Sequence, residues 1–262
     1  MSDSSILLGI QDRVATITLN RPEASNALNL SMAVQLLDAV GYCKDDSSVR
    51  AVLLKANGEA FCAGGDIKVF AQQGDKLPEY LKETTTYLHS VISAFVNWDV
   101  PVIAMVNGVA AGAGMSLALA ADLTIASESA RFTMAYTRIG LTPDGSASYY
   151  LSRMVGFKRA LELVVTNRVL SAREALAWGI ITRVVEDDDL HTETMNLALE
   201  LASGATKAFG ASKRLLHEGW NQTLERQLEE ESRIISEMSG TYDAKEAITA
   251  FIEKRTPNLQ GI

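Results

Sequence analysis

Two apolar runs in this chain end in turns built almost wholly from glycine and alanine, and nothing else in the sequence constrains the fold as tightly. Val52-Leu53-Leu54 leads to Phe61-Cys62-Ala63-Gly64-Gly65-Asp66-Ile67, and Val102-Ile103-Ala104-Met105-Val106 leads to Asn107-Gly108-Val109-Ala110-Ala111-Gly112-Ala113-Gly114. Each run reads as a buried strand, and each turn leaves backbone N–H groups that no side chain shields. Where such a strand end passes into a helix, its free amides face outward, so two of these turns can aim two donors at one carbonyl oxygen. The structural alternative is a tight turn at Gly64-Gly65 and close helix packing at Ala111-Gly112-Ala113-Gly114.

The residues around these turns follow β/α order. Val14–Leu19 and Val49–Lys55 read as strands, and Leu30–Cys43 as a helix with Met32, Leu36, Ala39 and Val40 on one face. Gly74–Glu83 is polar and contains Pro78, which predicts a mobile loop before a helix over Thr84–Val96. Strands follow at Leu123–Ala126 and Arg131–Met134, and from Arg159 onward the pattern turns helical. Ser171 and Glu174 have the spacing of a capping box. A chain of 262 residues, 47% of them hydrophobic, can bury one sizeable core or a main domain with a smaller appendage. We divide it into residues 1–195 and a helical C-terminal part, 196–262.

Composition narrows the function. With 24 basic against 32 acidic residues the net charge is -8, which gives no electrostatic case for nucleic acid. The longest apolar stretch, Val100–Ala121, is broken by Pro101, Asn107 and glycines, so it reads as strand, turn and helix and predicts no membrane span. Cys43 and Cys62 are too few for a disulfide framework, and Met1–Ser5 lacks the features of a secretory signal, so a cytoplasmic protein is expected. The histidines His89, His191 and His217 have no metal-ligand spacing, and no metal site is expected.

Asn20-Arg21-Pro22, Ala24-Ser25-Asn26-Ala27-Leu28, then the first turn and the second turn, taken in this order, resemble the crotonase family, also called the enoyl-CoA hydratase/isomerase family. The resemblance runs from about Ile6 to Pro257. It implies an α/β fold, a spiral core of ββα units with a C-terminal helical trimerisation region, and hence a homotrimer or hexamer. It implies an acyl-CoA substrate, coenzyme A entering as part of the thioester and no separate cofactor. The oxyanion donors would be the amides of Gly65 and Ala113. The nucleotide end of coenzyme A is expected along Ala24, Ser25, Ala27, Ala63, Asp66 and Ile67, with Phe251 and Lys254 reaching it from a neighbouring subunit.

Hydratases of the family use two glutamates to position water and shuttle its proton. The matching positions here are Ser116 and Tyr136, and neither replaces a carboxylate at neutral pH. The remaining carboxylate candidate is Asp144, between Pro143 and Gly145, which can project from a turn or else cap the helix that begins near Ser146. Isomerases of the family that lack the glutamate pair carry a catalytic aspartate in this segment, as those of phenylacetyl-CoA degradation do. One carboxylate suits an allylic double-bond shift, and Phe132, Met134, Tyr136 and Leu141 are its expected apolar walls.

Two further readings stay open. The segment from Tyr136 to Arg168 is also similar to 4-chlorobenzoyl-CoA dehalogenases, in which the equivalent aspartate attacks the ring and a histidine at the position of His89 serves as base. In that branch a tryptophan stands at Tyr136 and a phenylalanine at Gly65. The third reading is a non-catalytic acyl-CoA-binding subunit.

Overall fold

In the computed structural model, which describes residues 4–262, the chain opens with a hairpin of β1 (Ile6–Gln11) and β2 (Val14–Leu19). Its two-residue turn, Asp12-Arg13, has φ of 50° and 66°, the left-handed pair that matches strand twist. Strands β3 (Ala51–Ala56), β4 (Val102–Val106), β6 (Leu123–Ser127) and β9 (Arg183–Val185) extend the sheet in parallel, in the order β1-β2-β3-β4-β6-β9. A smaller sheet holds β5 (Val109–Ala111), β7 (Arg131–Thr133) and β8 (Leu170–Ser171).

Ala51–Leu54 and the whole of β4 are apolar because the large sheet is buried on both faces. On one face Val52, Leu54, Val102, Ala104 and Val106 join the main core with α1 (Leu30–Asp45) and α3 (Leu77–Asn97). On the other, Leu53, Ile103, Met105 and Ile125 pack with Leu190, Ala198 and Ala202 of α8 (Leu190–Ala202). That arrangement corrects the division after residue 195, which cuts through α8. The helix covers the second face of the sheet and belongs with the core.

The stretch expected to be a mobile loop is also different. Gly74–Lys76 forms one 3-10 turn, after α2 (Ile67–Gln73), and α3 already begins at Leu77. Pro78 lies in the first turn of α3, where its missing N–H costs no hydrogen bond, so it starts the helix instead of excluding it. The remaining core helices are α4 (Ala113–Ala120), α5 (Ala147–Val155), α6 (Phe157–Thr166) and α7 (Ala172–Ala177), the last opened by the Ser171–Glu174 capping box in full.

The C-terminal part is α9 (Thr206–Gly219), α10 (Leu224–Ser239) and α11 (Tyr242–Glu253). Its last residues are tied back to the sheet: Arg50, just before β3, donates to Leu259 O (3.0 Å) and Thr206 Oγ1 (3.1 Å), and to Gly204 O. Asp243, buried in α11, accepts from the amides of Gln260 (2.6 Å) and Gly261 (2.7 Å). Helix α10 buries none of its residues within the chain. Among the described residues, no helix is long and apolar enough to cross a membrane.

Candidate active site

The two small-residue turns lie against each other. Cys62 N–H donates to Val109 O (3.0 Å) and Ala111 N–H to Cys62 O (2.9 Å), a bridge that runs the first turn alongside β5. Only glycine allows this approach at Gly114, where a Cβ would lie 2.2 Å from Cys62 O. Gly64 combines a φ of +99° with a would-be Cβ only 3.0 Å from Ala111 O. Close packing and exposed amides are thus two aspects of one arrangement. The amides of Gly65 and of Ala113, the first residue of α4, have no hydrogen-bond partner among the described residues. Both residues line a cavity of about 410 Å³, and so does Asp144. The neighbouring Cys62 thiol is fully buried, which pushes its pKa up to about 11 and leaves it a packing group.

Asp144 does not cap α5. That place belongs to Ser146, whose side chain makes no capping bond, and Asp144 contributes only its carbonyl, to Ala147 N–H (3.1 Å). Its carboxylate is held from the side instead: the Tyr136 hydroxyl donates to Oδ1 at 2.5 Å. Ser116 Oγ lies 2.9 Å from the Tyr136 hydroxyl and 3.0 Å from the carbonyl oxygen of Asp144. Burial, and after it the charge of Asp144, holds the Tyr136 pKa well above its ordinary value of 10, so this phenol remains a donor at neutral pH. The positions matched to hydratase glutamates therefore form a neutral bracket around Asp144.

His89 stands on the other side of this turn. Its Nε2 accepts from Gly145 N–H at 3.2 Å and lies 3.8 Å from Asp144 Oδ2. Gly145 and Ser146 have φ of 58° and 66°, so the turn is held in a conformation that extended backbone would not give.

Of the residues expected at the coenzyme, Ala63 and Ile67 line the cavity. Asp66 is buried and its carboxylate is committed: Oδ1 accepts from Val69 N–H (3.2 Å) as the cap of α2, and Oδ2 pairs with Arg21 (2.9 Å). Its side chain is a structural anchor. Ala24, Ser25 and Ala27 lie beside the first turn, joined to it by Ala63 N–H to Ser25 O (3.0 Å), but outside the cavity wall. Phe251, 85% exposed, and Lys254, which ends α11 with a φ of 55°, are also outside the wall of their own chain's cavity.

The expected apolar walls are half right. Tyr136 and Leu141 line the cavity, whereas Phe132 and Met134 are fully buried behind it, because β7 and the residue after it point into the core. The sequence places the acyl pocket between the stretch Ala71–Glu83 and a helix over Tyr87–Val96, which covers Leu81 and Leu88 but leaves out Leu28, Phe70, Thr84 and Thr85. Leu81, Thr84, Thr85 and Leu88 on α3 are spaced as one stripe, a pattern hidden by reading Gly74–Glu83 as a loop. The buried Asn26 was missed as well. Its side chain donates to Asn57 O and Ala60 O, both at 2.8 Å, and fastens the loop to the strand end. Among the described residues, no group of three or more His, Cys, Asp or Glu is placed to hold a metal ion.

Residues 9–261 match the family described as enoyl-CoA hydratase/isomerase. A "Probable enoyl-CoA hydratase" of Rhodobacter capsulatus is 39% identical over 261 residues, covering 100% of both chains. The 1,2-epoxyphenylacetyl-CoA isomerase of Escherichia coli is 36% identical over 98% of each chain. A 4-chlorobenzoyl coenzyme A dehalogenase of an Arthrobacter species is 34% identical, over 97% of this chain and 92% of the relative. The crystal structure of an enoyl-CoA hydratase from a Polaromonas species superposes with a TM-score of 0.93 at 32% identity, over 97% of this chain and 99% of the other.

Proposed function

The chain belongs to the enoyl-CoA hydratase/isomerase family, the crotonase-fold enzymes of acyl-CoA chemistry, and on that footing we propose that it shifts a carbon–carbon double bond along an enoyl-CoA chain with Asp144 as its one acid–base group. A single observation carries this reading: Asp144 is the one carboxylate among the residues that line the cavity, and that cavity also contains Gly65 and Ala113 with unpaired amides. In this proposal the two amides hold the thioester oxygen as it gains charge, each contributing roughly 3 kcal/mol. Asp144 takes a proton from the carbon beside the thioester carbonyl. The electron pair delocalises as a dienolate, and Asp144 returns the proton two carbons further on. Tyr136 fixes the carboxylate through Oδ1 and leaves Oδ2 without a hydrogen-bond donor among the described residues, as the proton carrier of the scheme requires.

Hydration would need a second acid–base group to handle the water, and Ser116 and Tyr136 are neutral and bonded to each other. The similarity to an enzyme named as an isomerase supports the same direction. Coenzyme A is placed along Ala24, Ser25, Ala27, Ala63 and Ile67, with Asp66 acting through its backbone. Phe251 and Lys254 then serve the cavity of a neighbouring copy in a homotrimer or hexamer, an assignment supported by their lying outside the cavity wall of their own chain and by the unburied α10. No other cofactor enters the scheme, and we assign the enzyme to the cytoplasm.

The nearness of His89 to Asp144 favours a second reading, dehalogenation of an aroyl-CoA. Against it stands the lone pair of Nε2, which is engaged by the Gly145 amide and is not free to take a proton from water. Assays with 3-enoyl-, 2-enoyl- and 4-chlorobenzoyl-CoA separate the readings. We expect interconversion of 3- and 2-enoyl-CoA, and a fall of about 10³-fold in Asp144→Ala with acyl-CoA binding retained. Rapid hydration of crotonyl-CoA would overturn the single-carboxylate argument, and wild-type protein that binds acyl-CoA without any turnover would make it a binding subunit.

A further inference from the structure

We propose that the acyl group taken by this cavity carries an oxygen acceptor beyond the reacting carbons, and that Thr84 selects for it. The inference rests on the acyl-CoA reading for the kind of ligand, but not on the double-bond shift. Thr84 is a lining residue of the cavity and is only 3% exposed, yet its hydroxyl has no hydrogen-bond partner among the described residues. Other hydroxyls on α3 behave differently. Thr85 and Thr86 donate to Lys82 O (3.1 and 2.7 Å), and Ser90 donates to Thr86 O (2.9 Å). Bonding back to a carbonyl of the preceding turn is the usual way for a helical hydroxyl to be satisfied. Thr84 departs from it at a buried position, where an unpaired polar atom is costly unless a bound group completes it.

The neighbouring side chains offer no such partner. Leu28, Phe70, Leu81 and Leu88 are apolar, and the Tyr136 hydroxyl already serves Asp144. The cationic residues lining the same cavity, Lys82 and Arg138, favour an electron-rich ligand atom, so Thr84 acts as donor and the ligand as acceptor. Position along α3 then separates this oxygen from the chemistry. Thr84 precedes His89 by five residues, about 7.5 Å along the helix axis, and His89 is the residue within 3.8 Å of Asp144 Oδ2. On this offset the selected oxygen is assigned to a part of the acyl group away from the carbons that face Asp144. A ketone, ether or carboxylate oxygen shares the required chemistry.

Saturated thioesters, which cannot undergo the double-bond shift, test this independently of turnover. Octanoyl-CoA, its 5-, 6- and 7-oxo analogues, and the CoA monothioester of octanedioic acid would be titrated calorimetrically into wild type, Thr84→Val and Thr84→Ser. The expected result is a preference of about tenfold for at least one oxygenated thioester over octanoyl-CoA in wild type, corresponding to one added hydrogen bond. Thr84→Ser keeps this preference and Thr84→Val erases it, while octanoyl-CoA binds equally to all three, which also shows that the variants fold. A preference confined to the diacid and removed by Lys82→Met identifies a carboxylate; one for an oxo analogue identifies a neutral carbonyl. Equal binding of every thioester by wild type, or a preference that survives in Thr84→Val, overturns the proposal. An absence of isomerase turnover alongside the expected binding pattern would sink the reaction assigned above and leave this inference standing.

Discussion

The cavity has two unlike walls. One is made of main chain: Gly64, Gly65, Gly112 and Ala113 line it, and a Cβ would lie 3.0 Å from its nearest neighbour at Gly64 and 2.5 Å at Gly65. The other is made of side chains, with Asp144 bracketed by Tyr136 and the Gly145 turn bonded to His89. The main-chain wall is specified by what it excludes, so its function cannot be removed without disturbing the fold. The side-chain wall is specified by hydrogen bonds that can be deleted one at a time. Stability and catalysis should therefore separate on one wall and remain coupled on the other.

Gly114→Ala gives the sharpest test of the first half. Its methyl group would sit 2.2 Å from a backbone carbonyl, so we expect a loss of about 3 kcal/mol in stability together with lost activity, read by denaturant titration and turnover. A variant with wild-type stability would break the comparison. On the opposite wall, Tyr136→Phe should leave stability near neutral pH within about 1 kcal/mol and lower kcat about tenfold with little change in KM, since the ring stays and the hydroxyl's bonds to Asp144 Oδ1 and Ser116 Oγ are lost. The same variant sharpens the alkaline behaviour. Because the folded-state pKa of Tyr136 lies above its unfolded value of about 10, its contribution to stability is complete below that pH and is lost as pH rises through the higher folded value. Removing the phenol should flatten that alkaline decline.

A smaller effect is expected at His89. Gln at this position retains an acceptor for the Gly145 amide, whereas Leu does not, so His89→Leu should cost a few-fold in kcat and His89→Gln less. If both substitutions abolish activity equally, His89 takes part in the chemistry and does more than hold the turn. Smallest of all is Ser171→Ala, far from both walls in its role. Losing the capping box of α7 should cost about 1 kcal/mol in chemical denaturation and leave kinetics unchanged.

The two walls were also unequally legible in the sequence. The two turns could be found because glycine and alanine at strand ends report backbone demands, which are local, and the family resemblance then picked out Gly65 and Ala113 within them. Asp144 could be singled out only by resemblance and elimination, since by itself an aspartate before Gly-Ser reads as a helix cap. Its orientation depends on Tyr136 and Ser116, eight and twenty-eight residues earlier in the chain. Asp66 shows the converse. A carboxylate beside a glycine turn suggests ligand contact, and only Arg21, forty-five residues away, reveals that it is an anchor.

Period and punctuation in the sequence determined the β/α order, the buried strands, the stripe of α1 and the capping box, because these follow from neighbouring residues along one chain segment. Only the tertiary structure decided that α8 covers the second sheet face, that α3 begins at Leu77 and runs on as one helix, and that the Thr84 hydroxyl is buried without a partner. Burial and hydrogen-bond completion depend on what the rest of the chain brings alongside, and a linear pattern does not encode that separation in space.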